Sequence, residues 1–122
     1  MSSICKVFIL GRVGKDPSKK DTGNTTICSF PVATSRKYKG SDGQTKEETE
    51  WHSIVCFGTS ADFASNYVTK GDTVHVEGYL KTRKWTGSDG QDRYVTEVIA
   101  NSVNKVWDSK KGSDSASESE PF

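Results

Sequence analysis

Apolar and polar side chains alternate along this chain in short segments, a pattern that predicts strands rather than helices. Ile4–Val13 is apolar and β-branched, with Gly11 and Gly14 near its end, and Asp16-Pro17 marks a turn after it. Ile27–Thr34 predicts a second strand, where Pro31 calls for an edge or bulge position. Arg36–Glu48 is polar, carries Gly40 and Gly43, and reads as a long flexible hairpin loop. Trp51–Phe57 is the third strand.

A short helix follows. Thr59 and Asp62 have capping-box spacing, Phe63 and Tyr67 share a face four residues apart, and Lys70-Gly71 supplies a stop. Thr73–Lys84 alternates, with Val74, Val76 and Leu80 on one face and His75, Glu77 and Tyr79 on the other. Gly87–Gln91 is a turn, and Arg93–Val106 is a long fifth strand. From Asp108 onward Ser, Lys, Gly, Asp and Glu dominate without apolar periodicity, which predicts a disordered tail over 108–122 behind a domain over 1–107. Five strands with one short helix between the third and fourth is the order of the OB-fold, an all-β Greek-key barrel that often grips oligonucleotides. Fold alone does not assign function.

Composition narrows the field. The 122 residues suit one domain, with 32% hydrophobic and 27% charged side chains. That content is modest in core formers and leaves room for an oligomer interface to complete the burial. No apolar run approaches the roughly 18 residues that span a bilayer. The start, Met1-Ser-Ser-Ile-Cys-Lys, has no apolar signal segment, so the expected location is the cytoplasm. Cys5, Cys28 and Cys56 form no CxxC, have no nearby histidine pair and lie in apolar stretches. They read as reduced thiols acting as small hydrophobes, and no metal or cofactor is expected. Residues 1–107 hold 15 Lys and Arg against 12 Asp and Glu, whereas 108–122 hold two lysines against four acids. A basic body with an acidic tail fits a polyanion partner and a separate role for the tail.

The candidate chemistry lies where aromatic and basic residues coincide. Tyr38 sits among Arg36, Lys37 and Lys39; Trp85 follows Lys81-Thr-Arg-Lys84; Trp51 and Phe57 share one face of a strand. Flat rings stack on bases of any sequence while Lys and Arg follow phosphates. The opposing reading puts Trp51 and Phe57 in the core and makes the charge runs a solvated face. No Ser/His/Asp set, clustered carboxylates, P-loop or metal spacing appears, so catalysis is not expected.

Several blocks carry a resemblance: Thr49-Glu-Trp-His-Ser-Ile-Val-Cys-Phe-Gly58, Tyr67-Val-Thr-Lys-Gly71, Val76-Glu-Gly-Tyr-Leu-Lys-Thr-Arg-Lys-Trp85 and Gly90-Gln-Asp-Arg-Tyr94. With Lys6-Val-Phe-Ile-Leu-Gly11, Gly14-Lys-Asp-Pro17 and Ala33-Thr-Ser35, the chain over about 4–106 resembles the bacterial and phage single-stranded-DNA-binding proteins (SSB). The resemblance implies stacking by Trp51, Phe57 and Trp85 and phosphate contacts from Lys6, Lys70, Arg83 and Lys84. Tyr38 falls where many members place tryptophan, and Arg36 and Lys37 join the set on charge. It further implies a homotetramer with His52 near a subunit interface, and work in replication, recombination and repair beside the nucleoid. The end departs from the family pattern. Pro121-Phe122 with Glu118 and Glu120 remains as an expected docking peptide for replication and repair proteins, but the usual linker is almost absent and serines dilute the acidic run. Trp107 has no counterpart, and rim packing is its plain reading.

Overall fold

The computed structural model of the chain describes residues 2–108. Six strands and one helix run in the order β1 (Val7–Val13), β2 (Ser18–Asp21), β3 (Thr26–Lys39), β4 (Thr45–Phe57), α1 (Thr59–Tyr67), β5 (Thr73–Thr86) and β6 (Asp92–Trp107). The sheet order β1-β5-β6-β4-β3 closes on itself because β1 also pairs with β3, at Arg12↔Ala33 and Val13↔Val32. All these pairings are antiparallel except β4–β6, which is parallel over Ile54↔Val98 to Cys56↔Ala100. Closure demands a close approach at Gly11, where any β-carbon would overlap the Ala33 carbonyl. The result is the expected five-stranded OB barrel, with β2 added outside β3.

Alternate residues of each strand fill the interior: Ile9 and Val13, Phe30 and Val32, Ile54 and Cys56, Val74 and Val76. Helix α1 plugs one end through Ala61 and Ala64, both fully buried. Burial on this scale contributes roughly 1.5–3 kcal/mol per large apolar side chain and dominates the fold's stability. One carboxylate, Asp72, is also fully buried. It accepts the Thr69 N–H at 2.8 Å and lies 3.4 Å from Lys105 Nζ, which offsets its desolvation.

The structure corrects several expectations. Arg36–Glu48 is not a flexible loop. β3 and β4 stay in register from Ile27↔Phe57 out to Lys39↔Thr45, forming a two-stranded ribbon that leaves the barrel. Backbone pairing persists there although neither face is buried, so the polar sequence hides the strands. β2 escaped notice for the same reason, since all four of its residues are exposed. Thr59 and Asp62 form no capping box. The N-cap is Gly58, at φ 62°, with no side-chain cap, and the helix ends at Tyr67 rather than at Lys70-Gly71. Leu80 is 51% exposed because β5 has passed the barrel rim by that point. Cys28 and Cys56 are buried, but Cys5 is exposed.

Pro31 sits where β3 changes neighbours, between the end of the β2 pairing at Ser29 and the start of the β1 pairing at Val32. Its missing N–H therefore interrupts no ladder on that side. Trp107 ends β6 opposite Thr73, half-buried. Apart from Asp108, the tail expected over 108–122, with Glu118, Glu120, Pro121 and Phe122, lies outside the described residues.

Candidate nucleic-acid interface

Trp51 and Phe57 leave β4 on the face opposite to buried Ile54 and Cys56. They are 60% and 45% exposed, which excludes the core reading for both. Trp51 stands directly opposite Ala33, and its six-membered ring lies over Gly14. The loop bearing Lys70 is tied to the same end of β1. Gly71 N–H donates to the Val13 carbonyl at 2.8 Å, and Lys70 N–H donates to Asp16 Oδ1 at 2.8 Å. The fold thus brings Lys70 toward Trp51 from a segment nearly twenty residues away.

The β5–β6 ribbon carries the second cluster. Trp85, 43% exposed, faces Arg93, whose guanidinium carbon lies 5.7 Å from the ring centroid. That distance is within cation–π range, so Arg93 steadies the indole while its Nη2 donates to Asp89 Oδ2 at 2.7 Å. Arg83 shares the Trp85 face, whereas Lys84, between them, projects to the other side beside Tyr94. Arg83 Nε donates to Glu97 Oε1 at 2.9 Å, and Lys84 Nζ lies 3.1 Å from Asp92 Oδ2. The hydrogen bond that Arg83 donates to Glu97, and then the Glu97 charge, hold the guanidinium above its usual pKa.

Tyr38 and Arg36 occupy the β3–β4 ribbon, with the guanidinium carbon 5.5 Å from the ring centroid and Nε 2.9 Å from Glu48 Oε1. The register pairs Tyr38 with Lys46 and Trp51 with Ala33, so the two rings lie on opposite faces of the ribbon. Lys37 is on the Trp51 face. It lines a cleft of about 690 Å³ with Leu10, Arg12, Ser35 and Glu47, opened where β3 peels away from β1.

Lys6 stands apart. Its Nζ lies 2.6 Å from Glu77 Oε1 and 5.7 Å from the Phe8 ring centroid, and that ring stacks on His75 at 6.1 Å. This is the start of β1, about 26 Å along the chain from Gly14 at the strand's rise per residue. Phe8 is 63% exposed there, and Leu10 is partly exposed. Among the described residues, β1 pairs with β3 only at Arg12 and Val13, so Val7–Gly11 keeps an unpaired edge beside these side chains. His52 Nε2 lies 2.9 Å from Thr34 Oγ1, as a satisfied structural histidine would.

Sequence reasoning missed four kinds of participant: Gly14 beneath Trp51, Arg93 over Trp85, the 72%-exposed Tyr94, and the carboxylates that hold the cations. Gly14, Arg93 and Tyr94 all lay within recognisable blocks. The ion pairs depend on cross-strand register, which the sequence does not display. Among the described residues no three His, Cys, Asp or Glu side chains could hold a metal ion, and no helix is long and apolar enough to cross a membrane.

The comparisons agree with this geometry. Residues 4–106 match the model of the single-strand binding protein family. A curated single-stranded DNA-binding protein from Xylella fastidiosa is 41% identical over 104 residues, 84% of this chain. The match spans 63% of that relative's length. The solved complex of the Plasmodium falciparum SSB with ssDNA superposes with a TM-score of 0.78 at 31% identity, over 88% of this chain and 97% of that one. With a family match across the whole barrel and both ribbons, the chain belongs to the single-strand binding protein family.

Proposed function

We propose that this chain binds single-stranded DNA without base preference and without catalysis, protecting it during replication, recombination and repair. The observation that carries this reading is the placement of two large indoles, Trp51 and Trp85, reaching solvent on a rigid β framework. The Arg93 guanidinium lies over Trp85, and the Lys70 loop is tied to the end of β1 on which Trp51 rests. A partly exposed indole contributes less to the fold than a buried one, whereas an unpaired base stacked on it supplies about 1–3 kcal/mol in proteins of this kind. Phe57 extends the stacking surface on the Trp51 face, Tyr38 offers a second ring on the other face of the ribbon, and Lys37, Lys70, Arg36, Arg83 and Lys84 take the phosphates. The relative from Xylella fastidiosa and the Plasmodium falciparum complex support the same ligand. Lys6 is ion-paired far from Trp51 and serves the path of a strand around the barrel rather than the central platform.

The assembly we propose is a homotetramer of paired barrels. The unpaired Val7–Gly11 edge, with Phe8 and Leu10 beside it, suits a second copy of the same strand. The tail's Pro121-Phe122, led by Glu118 and Glu120, docks replication and repair proteins: an aromatic ring beside acidic side chains fits an apolar pocket rimmed by cations. Such a protein works in the cytoplasm at the nucleoid.

Competition among matched oligonucleotides tests the assignment. A single DNA strand should displace a labelled one, and duplex of the same sequence should not. Equal competition by duplex overturns the reading, and preference for the RNA version moves it to an RNA-binding member of the same fold.

A further inference from the structure

Trp51 is exposed yet not loose. Its ring lies across the backbone at Gly14, so closely that a β-carbon there would overlap Cζ3 and come 2.7 Å from Cη2. Gly14 itself is fixed: its N–H donates to the Pro31 carbonyl at 3.0 Å, and the neighbouring Val13 is bonded through both N–H and carbonyl to the Gly71-Asp72 turn. Its φ is outside the left-handed region, so the backbone makes no demand for glycine. Only the indole does.

We infer that Gly14 is a positioning residue for DNA binding, the flat seat that holds the Trp51 ring with one face covered and the other open to a base. The inference rests on the stacking role proposed for Trp51. A ring held in place before binding loses little rotamer freedom when a base arrives, so the seat raises affinity without touching DNA. A side chain at 14 evicts the ring rather than unfolding the barrel. The atoms it meets are the far end of an exposed side chain, which can swing into solvent cheaply.

The test is Gly14→Ala, alone and combined with Trp51→Ala, in the full chain. Gly14→Ala should weaken binding of oligo(dT) by about three- to tenfold, a part of one base's stacking energy. Melting should stay within about 3 °C of the parent, as for a surface change. In the Trp51→Ala background the same substitution should change affinity by less than about 1.5-fold, since residues that act through one contact are not additive. In protein labelled with fluorotryptophan and free of DNA, Gly14→Ala should move the Trp51 fluorine resonance and leave those of Trp85 and Trp107 in place.

Equal weakening in both backgrounds, or an unmoved Trp51 resonance, overturns the inference and leaves the stacking role standing. A large fall in melting temperature also overturns it, by placing Gly14 in the service of the fold. If Trp51→Ala itself binds normally, the stacking role fails and the seat with it.

Discussion

Arg83 and Glu97 form a fork-like pair across the β5–β6 ribbon, with Nε to Oε1 at 2.9 Å and Nη2 to Oε2 at 3.5 Å. The Arg83 side chain is 55% exposed and that of Glu97 only 12%, so the carboxylate acts as an anchor and the guanidinium as the presented group. Arginine has five donors, and two directed at Glu97 leave an edge free for a phosphate. The pattern recurs in more open form at Arg36–Glu48, Lys84–Asp92 and Lys6–Glu77. Four of the cations assigned to DNA thus already hold an anion, which orients each of them and competes with the incoming phosphate.

That competition is measurable at Arg36–Glu48, where both side chains are well exposed and the pair does little for stability. Glu48→Gln should tighten ssDNA binding by about two- to fivefold at low salt, within the range of exposed ion-pair energies. It should also steepen the salt dependence, toward roughly 0.7 more in log–log slope for one more phosphate engaged. Arg36→Ala should do the reverse. Isothermal titration across a salt series checks both, and an unchanged slope in Glu48→Gln would show that Arg36 does not meet the backbone.

Arg83→Ala should lower the melting temperature as well as the affinity, in contrast to Arg36→Ala. The difference follows from burial: removal of Arg83 strands a carboxylate that is almost out of solvent. Thermal denaturation of the two variants side by side distinguishes the pairs.

The cysteines offer a check on the barrel. Cys28 and Cys56 are cross-strand partners inside it. Burial pushes the Cys56 thiol up to about 12, with Cys28 adding to the effect, and burial also raises Cys28. Folded values above the unfolded one mean that their contribution to stability is complete below the unfolded thiol pKa and is lost as pH rises toward 12. Near pH 8, iodoacetamide should therefore label Cys5 alone in the folded protein and all three after denaturation. Labelling of Cys28 or Cys56 in the native state would contradict the closed barrel.

The barrel was legible because one face of each strand is buried. Val74 and Val76 against His75 and Glu77 is the pattern that burial on one side imposes. Beyond the rim both faces meet water, the period of two vanishes, and Arg36–Lys39 and Thr45–Glu50 look like loop. The same loss hid β2. Trp51 and Phe57 were legible as a pair from their spacing, but their exposure was not, since a barrel strand's outer face is dry or wet depending on its neighbours. The seat at Gly14 and the carboxylate partners required the register of three strands.

The proposed tetramer, with the β1 edge as one of its interfaces, predicts that light scattering at micromolar concentration reports four copies of the chain. Phe8→Asp with Leu10→Asp should reduce the count, since charges are placed where a second β1 would lie, while the barrel stays folded because both side chains point away from its core. A parent chain that is monomeric at that concentration removes the assembly from the account.

The central claim is that the indoles on these ribbons are platforms for unpaired bases, and tryptophan fluorescence titrated with poly(dT) tests it most directly. The account predicts strong quenching that saturates, reverses on raising the salt, and is diminished in Trp51→Ala and Trp85→Ala, with affinity falling by about 1–3 kcal/mol each. Melting of these variants should stay near the parent value. Fluorescence unchanged at saturating poly(dT), or full affinity retained without both indoles, would contradict it.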